Sequence, residues 1–310
     1  MKRKIVAGLI IGVVMLSLFA AAVFKEEPVL NRAAGGADAD IGIVDITGVI
    51  TTGGSGGFGG DVSAGSQTVI SQLQEARENP NIKAVVLHIN SPGGSAAGSL
   101  EIGSEIKRLR QSGKKVVAYM GDIAASGAYW ISCETDSIVA NPATITGSIG
   151  VIMQTMDLQG LYDKLGIDTN VYKSGPHKDM GSASRDVTEE ERAIFQSMID
   201  DIYQQFVTVV ANGRNMDVER VKELADGRIY TGRQALELGL VDELGDMHRA
   251  IQIAAELAGV DGEPSVVDLS PRTVWDELFG QLSAGGKFQL YRFKLPYFGL
   301  LLLPEKEAVF

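Results

Sequence analysis

One short run of residues constrains the fold of this chain more than any other feature. Residues 84–90 read Ala-Val-Val-Leu-His-Ile-Asn, which is nearly continuous in apolar side chains. A strand of this kind is typical of a parallel sheet that is buried on both faces. Strand and helix patterns alternate around it, with strands predicted at 41–50, 116–120, 137–140, 149–153 and 169–172 and helices at 64–78, at about 95–113 and from Ser126. This alternation predicts an α/β domain with a largely parallel sheet.

The last third of the chain is predicted to be helical. Thr188-Glu-Glu-Glu191 matches a capping box, and apolar residues follow it at three- and four-residue steps. This stripe, which we interpret as core or subunit contact, consists of Ile194, Met198, Ile202, Phe206, Val209 and Val210. Shorter helices are predicted near 217–225, 231–238 and 246–258. The helical periodicity is then lost, which predicts a C-terminal tail at 263–310 that is partly irregular.

The N-terminus combines three basic residues with a long uncharged run. Met1-Lys-Arg-Lys4 precedes the 20 uncharged residues from Ile5 to Phe24. As a helix, this run would span ~30 Å, about one bilayer core. The basic end should stay in the cytoplasm, which places the residues after 25 on the extracytoplasmic side. Ala20-Ala-Ala22 leaves signal-peptide cleavage open. Because the run is longer than a usual signal core, we predict an uncleaved transmembrane anchor at 1–27 and a linker at 28–40.

Composition excludes several classes of protein. The net charge of −11 argues against nucleic acid as a partner. The single cysteine, Cys133, excludes an internal disulfide framework, and with the three histidines it shows no zinc-ligand spacing, so we expect no metal. Residues 53–59 match G-x-S-x-G and G-x-G-x-x-G only because most of them are glycine. We interpret this stretch as a surface loop and expect no cofactor.

Two turns contain residues suited to acyl transfer. Asn90-Ser-Pro-Gly-Gly94 follows the buried strand, and its glycines leave a backbone amide accessible. The amides of Gly94 and Gly127 are candidates to hold a tetrahedral oxyanion. Ser126, between Ala125 and Gly127 at a predicted helix start, is either a nucleophile or an ordinary N-cap. An ordinary strand-to-helix turn would equally explain the two glycines.

A nucleophilic serine needs a base. His177 and Lys178 are adjacent candidates, and lysine can act only if burial disfavours its ammonium form. Ser148 is a candidate hydroxyl that would orient the amine without adding charge. Asp179 would favour the charged amine, so we predict that its carboxylate turns away from Lys178. The alternative is a solvated surface lysine.

Taken together, these segments resemble signal peptide peptidase A, a family of membrane-anchored Ser–Lys proteases in the ClpP/crotonase superfamily. The similarity runs from about Ile41 to Leu257. Its most specific segments are Asp122–Tyr129, Thr146–Val151, Lys173–Asp179 and Arg228–Ala235. Asn90–Gly94 and Gly239–Asp242 are shared more widely with ClpP and crotonase relatives, so they support the fold rather than the reaction.

The resemblance implies a crotonase/ClpP-like spiral α/β fold, with a protease domain at 41–262. It assigns Ser126 as nucleophile, Lys178 as general base and Ser148 as the lysine-orienting hydroxyl, with Gly94 and Gly127 as oxyanion donors. It further implies self-association into an octameric ring, in which Lys178 could act on a neighbouring chain. The expected activity is degradation of remnant signal peptides. The expected protein is single-pass in the cell membrane, with its catalytic domain on the extracytoplasmic side.

Two other functions remain open. A crotonase-type acyl-CoA enzyme would use the same oxyanion turn, but the predicted extracytoplasmic location argues against it because CoA is cytosolic. A catalytically inactive membrane scaffold would assemble through the helical third.

The apolar tail segment at 288–303 could dock in the chain's own groove, rest on the membrane interface or be disordered.

Overall fold

The computed structural model describes residues 39–54 and 63–270. Its strands are β1 (Ile41–Thr47), β2 (Val49–Thr51), β3 (Ser63–Gly65), β4 (Ala84–Ser91), β5 (Lys115–Ala125), β6 (Ser137–Ala140), β7 (Ile145–Gly147), β8 (Ile229–Thr231), β9 (Glu243–Leu244) and β10 (Val266–Asp268). Its helices are α1 (Ser66–Glu78), α2 (Ala96–Gln111), α3 (Gly127–Ser132), α4 (Gln159–Leu165), α5 (Glu189–Arg214), α6 (Val218–Leu224), α7 (Gly232–Glu237) and α8 (Met247–Ala258).

The predicted membrane anchor and most of the tail lie outside the described residues. Within the two described ranges, no helix has both the length and the apolar character needed to cross a bilayer. The anchor at 1–27 therefore stays a prediction.

The main sheet is largely parallel, as the sequence predicts. Its strands follow the order β10-β1-β4-β5-β6-β9 with parallel pairing throughout. β7 adds to β5 in parallel, and β8 pairs antiparallel with β7. β2 and β3 form a separate two-stranded parallel sheet. The α/β prediction is confirmed, and the parallel-rich architecture fits a ClpP-like fold class.

β5 is the strand that shapes the site, because it pairs with different strands at its two ends. Val117–Met120 pairs with β6, whereas Ile123–Ala125 pairs with β7. The sequence predicts only 116–120, since Gly121 and Asp122 are poor strand formers. Pairing with β7 extends the strand to Ala125 and carries it directly to Ser126.

Alternating residues of the central strands face two different cores. Val85 and Leu87 of β4 pack in the larger core with residues of α1, α2 and α3. Val86, on the other face, packs with Ala250 and Ala254 of α8. Each fully buried Val, Leu or Ile side chain contributes ~1.5–3 kcal/mol relative to the exposed state. Burial on both faces explains why β4 lacks a polar alternation.

The predicted helix at 188 onwards is confirmed. Thr188 and Glu191 form the complete capping box of α5. Phe206 and Val210, in the C-terminal half of the apolar stripe, are buried, while Met198 in the N-terminal half is exposed. The stripe therefore packs in the core of this chain only along its C-terminal half.

The strands predicted at 149–153 and 169–172 are wrong. Neither segment pairs with another strand among the described residues, and Ile152 and Tyr172 are 87% and 95% exposed. We call residues 152–172 the apolar arm, since its exposed side chains include Ile152, Met153, Met156, Leu161, Leu165, Ile167, Val171 and Tyr172. Its apolar pattern suggested buried strands, but none of the residues at 39–54 and 63–270 buries these side chains.

Two further boundaries differ from the predicted ones. The strand predicted at 41–50 is split by Gly48, whose φ of 83° separates β1 from β2.

β10 lies within the segment predicted as the tail and adds to the edge of β1, where Asp45 accepts a hydrogen bond from Ser270. The sheet-bearing unit thus extends to residue 270.

Candidate active site

The carboxyl ends of β4, β5 and β7 meet at one place. β4 pairs with β5 as far as Ser91 and Ala124, and β5 pairs with β7 as far as Ala125 and Gly147. The residues that follow these parallel strands therefore come together at one edge of the sheet, the usual location of sites in such folds. They include Gly94, Ser126, Gly127 and Ser148, which are four of the five predicted site residues.

Ser126 sits in a strained turn between β5 and α3. Its backbone has φ 53° and ψ −122°, a conformation that is uncommon for a residue with a side chain. Its N–H donates to Gly147 O at 2.8 Å, and its carbonyl accepts from Trp130 N at 2.9 Å. Its hydroxyl makes no capping hydrogen bond, although the residue occupies the N-cap position. The interpretation of Ser126 as an ordinary N-cap therefore loses its main support.

The Gly93–Gly94 turn is held beside Ser126 by β2. Ile50 N donates to Gly93 O and Ile50 O accepts from Ser95 N, both at 2.9 Å. A Cβ on Gly94 would lie 2.2 Å from Ile50 O, and Gly94 has φ 151°, so only glycine fits there. The backbone N–H and carbonyl of Ile50 thus hold the turn in one conformation.

Two backbone amides lie close together at this turn. A Cβ on Gly127 would lie 3.4 Å from Gly94 N, so the two residues are neighbours. Gly127 is the first residue of α3 and has no intrahelical acceptor. Within the described ranges, neither the Gly94 N–H nor the Gly127 N–H has a hydrogen-bond acceptor. Two adjacent free donors beside a hydroxyl can stabilise a developing oxyanion.

Ser148 lies next to Ser126 because their strands end in register. Ser148 also has a positive φ, 49°, and its N–H donates to Arg228 O at 2.8 Å. Tyr230 of β8 packs directly on Gly147, where a Cβ would lie 2.6 Å from the ring. β8 therefore sets the position of Ser148. Its role as a lysine-orienting hydroxyl stays a prediction.

Lys178 lies in a turn between the apolar arm and α5. Its side chain is exposed in the single chain, and its amine makes no hydrogen bond or ion pair within the described residues. The structure therefore leaves the assignment of Lys178 as the base a prediction. A lysine can act as a base only if its amine is buried away from water, because burial disfavours the charged ammonium form.

The neighbouring carboxylate turns away from Lys178, as the sequence analysis predicts. Asp179 binds Arg185 through both of its oxygens and Lys173 at 2.7 Å. These hydrogen bonds, the one from Arg185 first, hold the pKa of Asp179 well below its usual range. The carboxylate is thus fully ionised and already neutralised by two cations.

The three histidines have partners elsewhere. His177 Nε2 lies 3.5 Å from Glu190, and His248 contacts Gln252. His88 contacts Asp45 at 2.7 Å and stacks on Tyr119, and the hydrogen bond with Asp45 raises its pKa. None of these contacts within the described ranges involves Ser126. No three His, Cys, Asp or Glu side chains in those ranges are grouped to hold a metal ion.

Sequence reasoning missed the residues that hold the site in place. Ile50 clamps the Gly93–Gly94 turn, Ser99 packs beneath Gly127, and Arg228 binds the backbone of Ser148. These residues act through backbone groups or packing and lie far from the site in sequence. Arg228 begins one of the segments that carry the family resemblance, but nothing in that segment indicates its contact with Ser148, and no motif marks Ile50 or Ser99.

Comparison with known proteins identifies a peptidase family that matches part of this chain. Residues 108–261 match the family model of peptidase family S49. This range contains Ser126, Ser148 and Lys178 but not Gly94.

Curated relatives agree with this match. A Synechocystis sp. protein provisionally named as a protease is 47% identical over 210 residues, covering 68% of this chain and 75% of its own length. An Enterococcus faecium protein provisionally named as signal peptide peptidase SppA is 42% identical, covering 65% of this chain and 59% of its own. The chloroplastic serine protease SPPA of Arabidopsis thaliana is 36% identical, covering 66% and 31%. The chain thus spans less than two thirds of the length of the Enterococcus relative and about a third of the length of the Arabidopsis relative.

Proposed function

The chain belongs to the SppA family of S49 peptidases, and from this premise we propose that it is a membrane-bound serine endopeptidase with a Ser126–Lys178 dyad. The observation that carries the proposal is the Ser126 hydroxyl, which lies in a turn of φ 53° beside the Gly94 and Gly127 amides; in the part of the chain that the structure describes, none of these three groups has a hydrogen-bond partner. The serine protease name of the Arabidopsis relative supports the same nucleophile.

The reaction follows from these groups. Ser126 Oγ attacks the carbonyl carbon of the scissile peptide bond, and its proton passes to the neutral Lys178 amine. The carbonyl oxygen becomes an oxyanion that accepts hydrogen bonds from the Gly94 and Gly127 amides. Lys178 then returns the proton to the leaving amine, and the C–N bond breaks. Water hydrolyses the acyl ester on Ser126 and regenerates the hydroxyl.

The dyad requires the Lys178 amine to be shielded from water. In the single chain Lys178 is exposed, and so is most of the apolar arm that precedes it. So many exposed apolar side chains in one segment are typical of a protein interface. We therefore include self-association, into the octameric ring expected of short family members, as part of the proposal. In such a ring Lys178 serves Ser126 of its own or of a neighbouring chain.

The substrates in this proposal are remnant signal peptides. The support is the name of the Enterococcus relative and the predicted anchor at 1–27, which would hold the site on the extracytoplasmic side of the cell membrane. Signal peptides remain near the membrane after their release, so an anchored peptidase meets them there.

The test uses the full-length protein in detergent with a signal-peptide substrate. A fluorophosphonate probe should label the wild type and leave Ser126→Ala unlabelled. Ser126→Ala and Lys178→Ala should each lower kcat/KM by at least about a thousandfold. The matched controls Ser197→Ala and Lys222→Ala change exposed residues of α5 and α6 and should stay near wild type.

Three results would contradict the proposal. If Lys178→Ala retains most of the wild-type activity, the dyad is wrong. A wild-type protein without any hydrolysis would favour the inactive scaffold. Turnover of acyl-CoA thioesters in place of peptides would favour the crotonase-type enzyme.

A further inference from the structure

The turn that carries Lys178 is closed by its neighbours. Lys173 Nζ donates to Pro176 O at 3.0 Å and to Asp179 Oδ1 at 2.7 Å. The backbone closes the same turn, since Lys178 N donates to Gly175 O at 3.3 Å. Lys178 therefore projects from a short loop whose two sides are joined by the Lys173 amine.

Arg185 connects this loop to the start of α5. Its Nε and one terminal nitrogen bind Asp179 at 3.1 and 2.9 Å. The guanidinium also binds both carboxylate oxygens of Glu191, at 3.0 and 2.5 Å. Glu191 is 2% exposed and closes the capping box with Thr188. The loop is thus joined to a rigid helix end through one planar guanidinium, a geometry that lysine cannot reproduce.

These contacts determine where the Asp179 charge lies. Asp179 directly follows Lys178 in the chain, so a carboxylate released from Arg185 would stay beside the segment that carries the amine. The other charged groups around the turn are Lys173, His177, Glu190 and Glu191. His177 and Glu190 contact one another, and Glu191 is bound by Arg185. Asp179 is therefore the carboxylate of this turn that the proposal concerns, since Arg185 holds both of its oxygens.

We propose that Arg185 is a positioning residue that holds the Asp179 carboxylate off the Lys178 amine and fixes the loop from which that amine acts. The inference rests on the proposed Ser126–Lys178 dyad. Loss of Arg185 frees Asp179 Oδ2, because Lys173 binds only Oδ1. A freed carboxylate within reach of Lys178 would favour the ammonium form.

The experiment measures the pH profile of kcat/KM for the assembled full-length protein. In Arg185→Gln the acid limb should move to higher pH by about one unit, since a neighbouring opposite charge shifts a titration by about 1–3 units. Well below the midpoint of the limb this shift lowers kcat/KM about tenfold at a given pH, mainly through kcat, and the loss shrinks as the pH rises past the midpoint. In Arg185→Gln/Asp179→Asn the limb should return to the wild-type position, because the Asp179 carboxylate is gone and Glu191, which also loses Arg185, is still held by the Thr188 N–H in the capping box. Arg192→Gln is the matched control, since Arg192 is an exposed arginine in the first turn of α5 whose ion pair with Glu189 is long, at 3.4 Å.

The outcomes separate the inference from the proposed function. Activity in Lys178→Ala would remove the dyad and the inference with it. An inactive Lys178→Ala, together with an unmoved limb in Arg185→Gln or no return in the double variant, would overturn the inference alone. If Arg185→Gln does not fold, Asp179→Asn decides. If the acid limb of Asp179→Asn is unchanged, the Asp179 carboxylate is already held off Lys178 in the wild type, which supports the inference. If the limb moves to lower pH by about one unit, the wild-type carboxylate acts on Lys178 and the inference is overturned.

Discussion

Replacing Gly127 with alanine tests the oxyanion geometry directly. The new Cβ would lie 2.4 Å from Ser99 Oγ, while its other near contacts, Gly94 N at 3.4 Å and Ser99 Cβ at 3.5 Å, need little or no adjustment. Ser99 is fully buried, and its hydroxyl donates to Ser95 O at 2.9 Å. The backbone of Gly127 has no positive φ that requires glycine. The clash is therefore a single contact with one oxygen atom.

The magnitudes follow from that contact. Overpacking of a buried site costs ~1–3 kcal/mol, so the free energy of unfolding should fall by about that amount. The clash pushes the Gly127 amide away from Gly94. Because losing one oxyanion donor costs about 10²–10³ in kcat, we expect a partial displacement to lower kcat by about ten- to a hundredfold.

A second substitution should relieve the clash. Ser99→Ala removes the oxygen and costs about 1 kcal/mol for its hydrogen bond, while Ser95 O still accepts from Ser99 N. In Gly127→Ala/Ser99→Ala the coupling energy should be about 1–2 kcal/mol in favour of folding. Most of the lost kcat should return in the same variant.

The assay combines urea unfolding with peptide hydrolysis for both single variants and the double variant. Gly54→Ala is the control, because no described atom lies within 4 Å of a Cβ on that exposed glycine and its φ is not positive. A folded Gly127→Ala with wild-type kcat would refute the role of the amide. A loss of kcat that Ser99→Ala does not relieve would refute the steric reasoning.

Two further predictions concern the apolar arm and a histidine pair. Ile152→Asp should dissociate the assembly in light scattering and lower kcat/KM at least about tenfold, since Ile152 is 87% exposed and only an interface would bury it. Leu257→Asp, at an exposed position of α8, is the control, and an unchanged mass with full activity would contradict the expectation. Asp45 raises the pKa of His88 above its usual 6.5, so the pair stabilises the fold fully below pH 6.5 and loses this contribution as the pH rises through the raised pKa. The free energy of unfolding, measured in urea across that pH range, should decline with pH in the wild type but not in His88→Gln. The same dependence on pH in both proteins would contradict this prediction.

Much of the fold could be predicted because its signals are local. The doubly buried β4 and the capping box of α5 each depend on residues adjacent in sequence, and both predictions are confirmed. The predicted strands at 149–153 and 169–172 failed for the opposite reason. An apolar run becomes a strand only beside a partner strand, and within the described residues neither segment has one.

The candidate site divides in the same way. The sequence by itself determined the chemical groups: a serine between small residues, a glycine pair after a buried strand, and a lysine beside an aspartate. Only the tertiary structure decided that β7 brings Ser148 beside Ser126, that Ile50 clamps Gly94, and that Arg185 takes the Asp179 carboxylate. These relations join residues far apart in the chain through backbone register and shared partners, and such contacts exist only once the chain has folded.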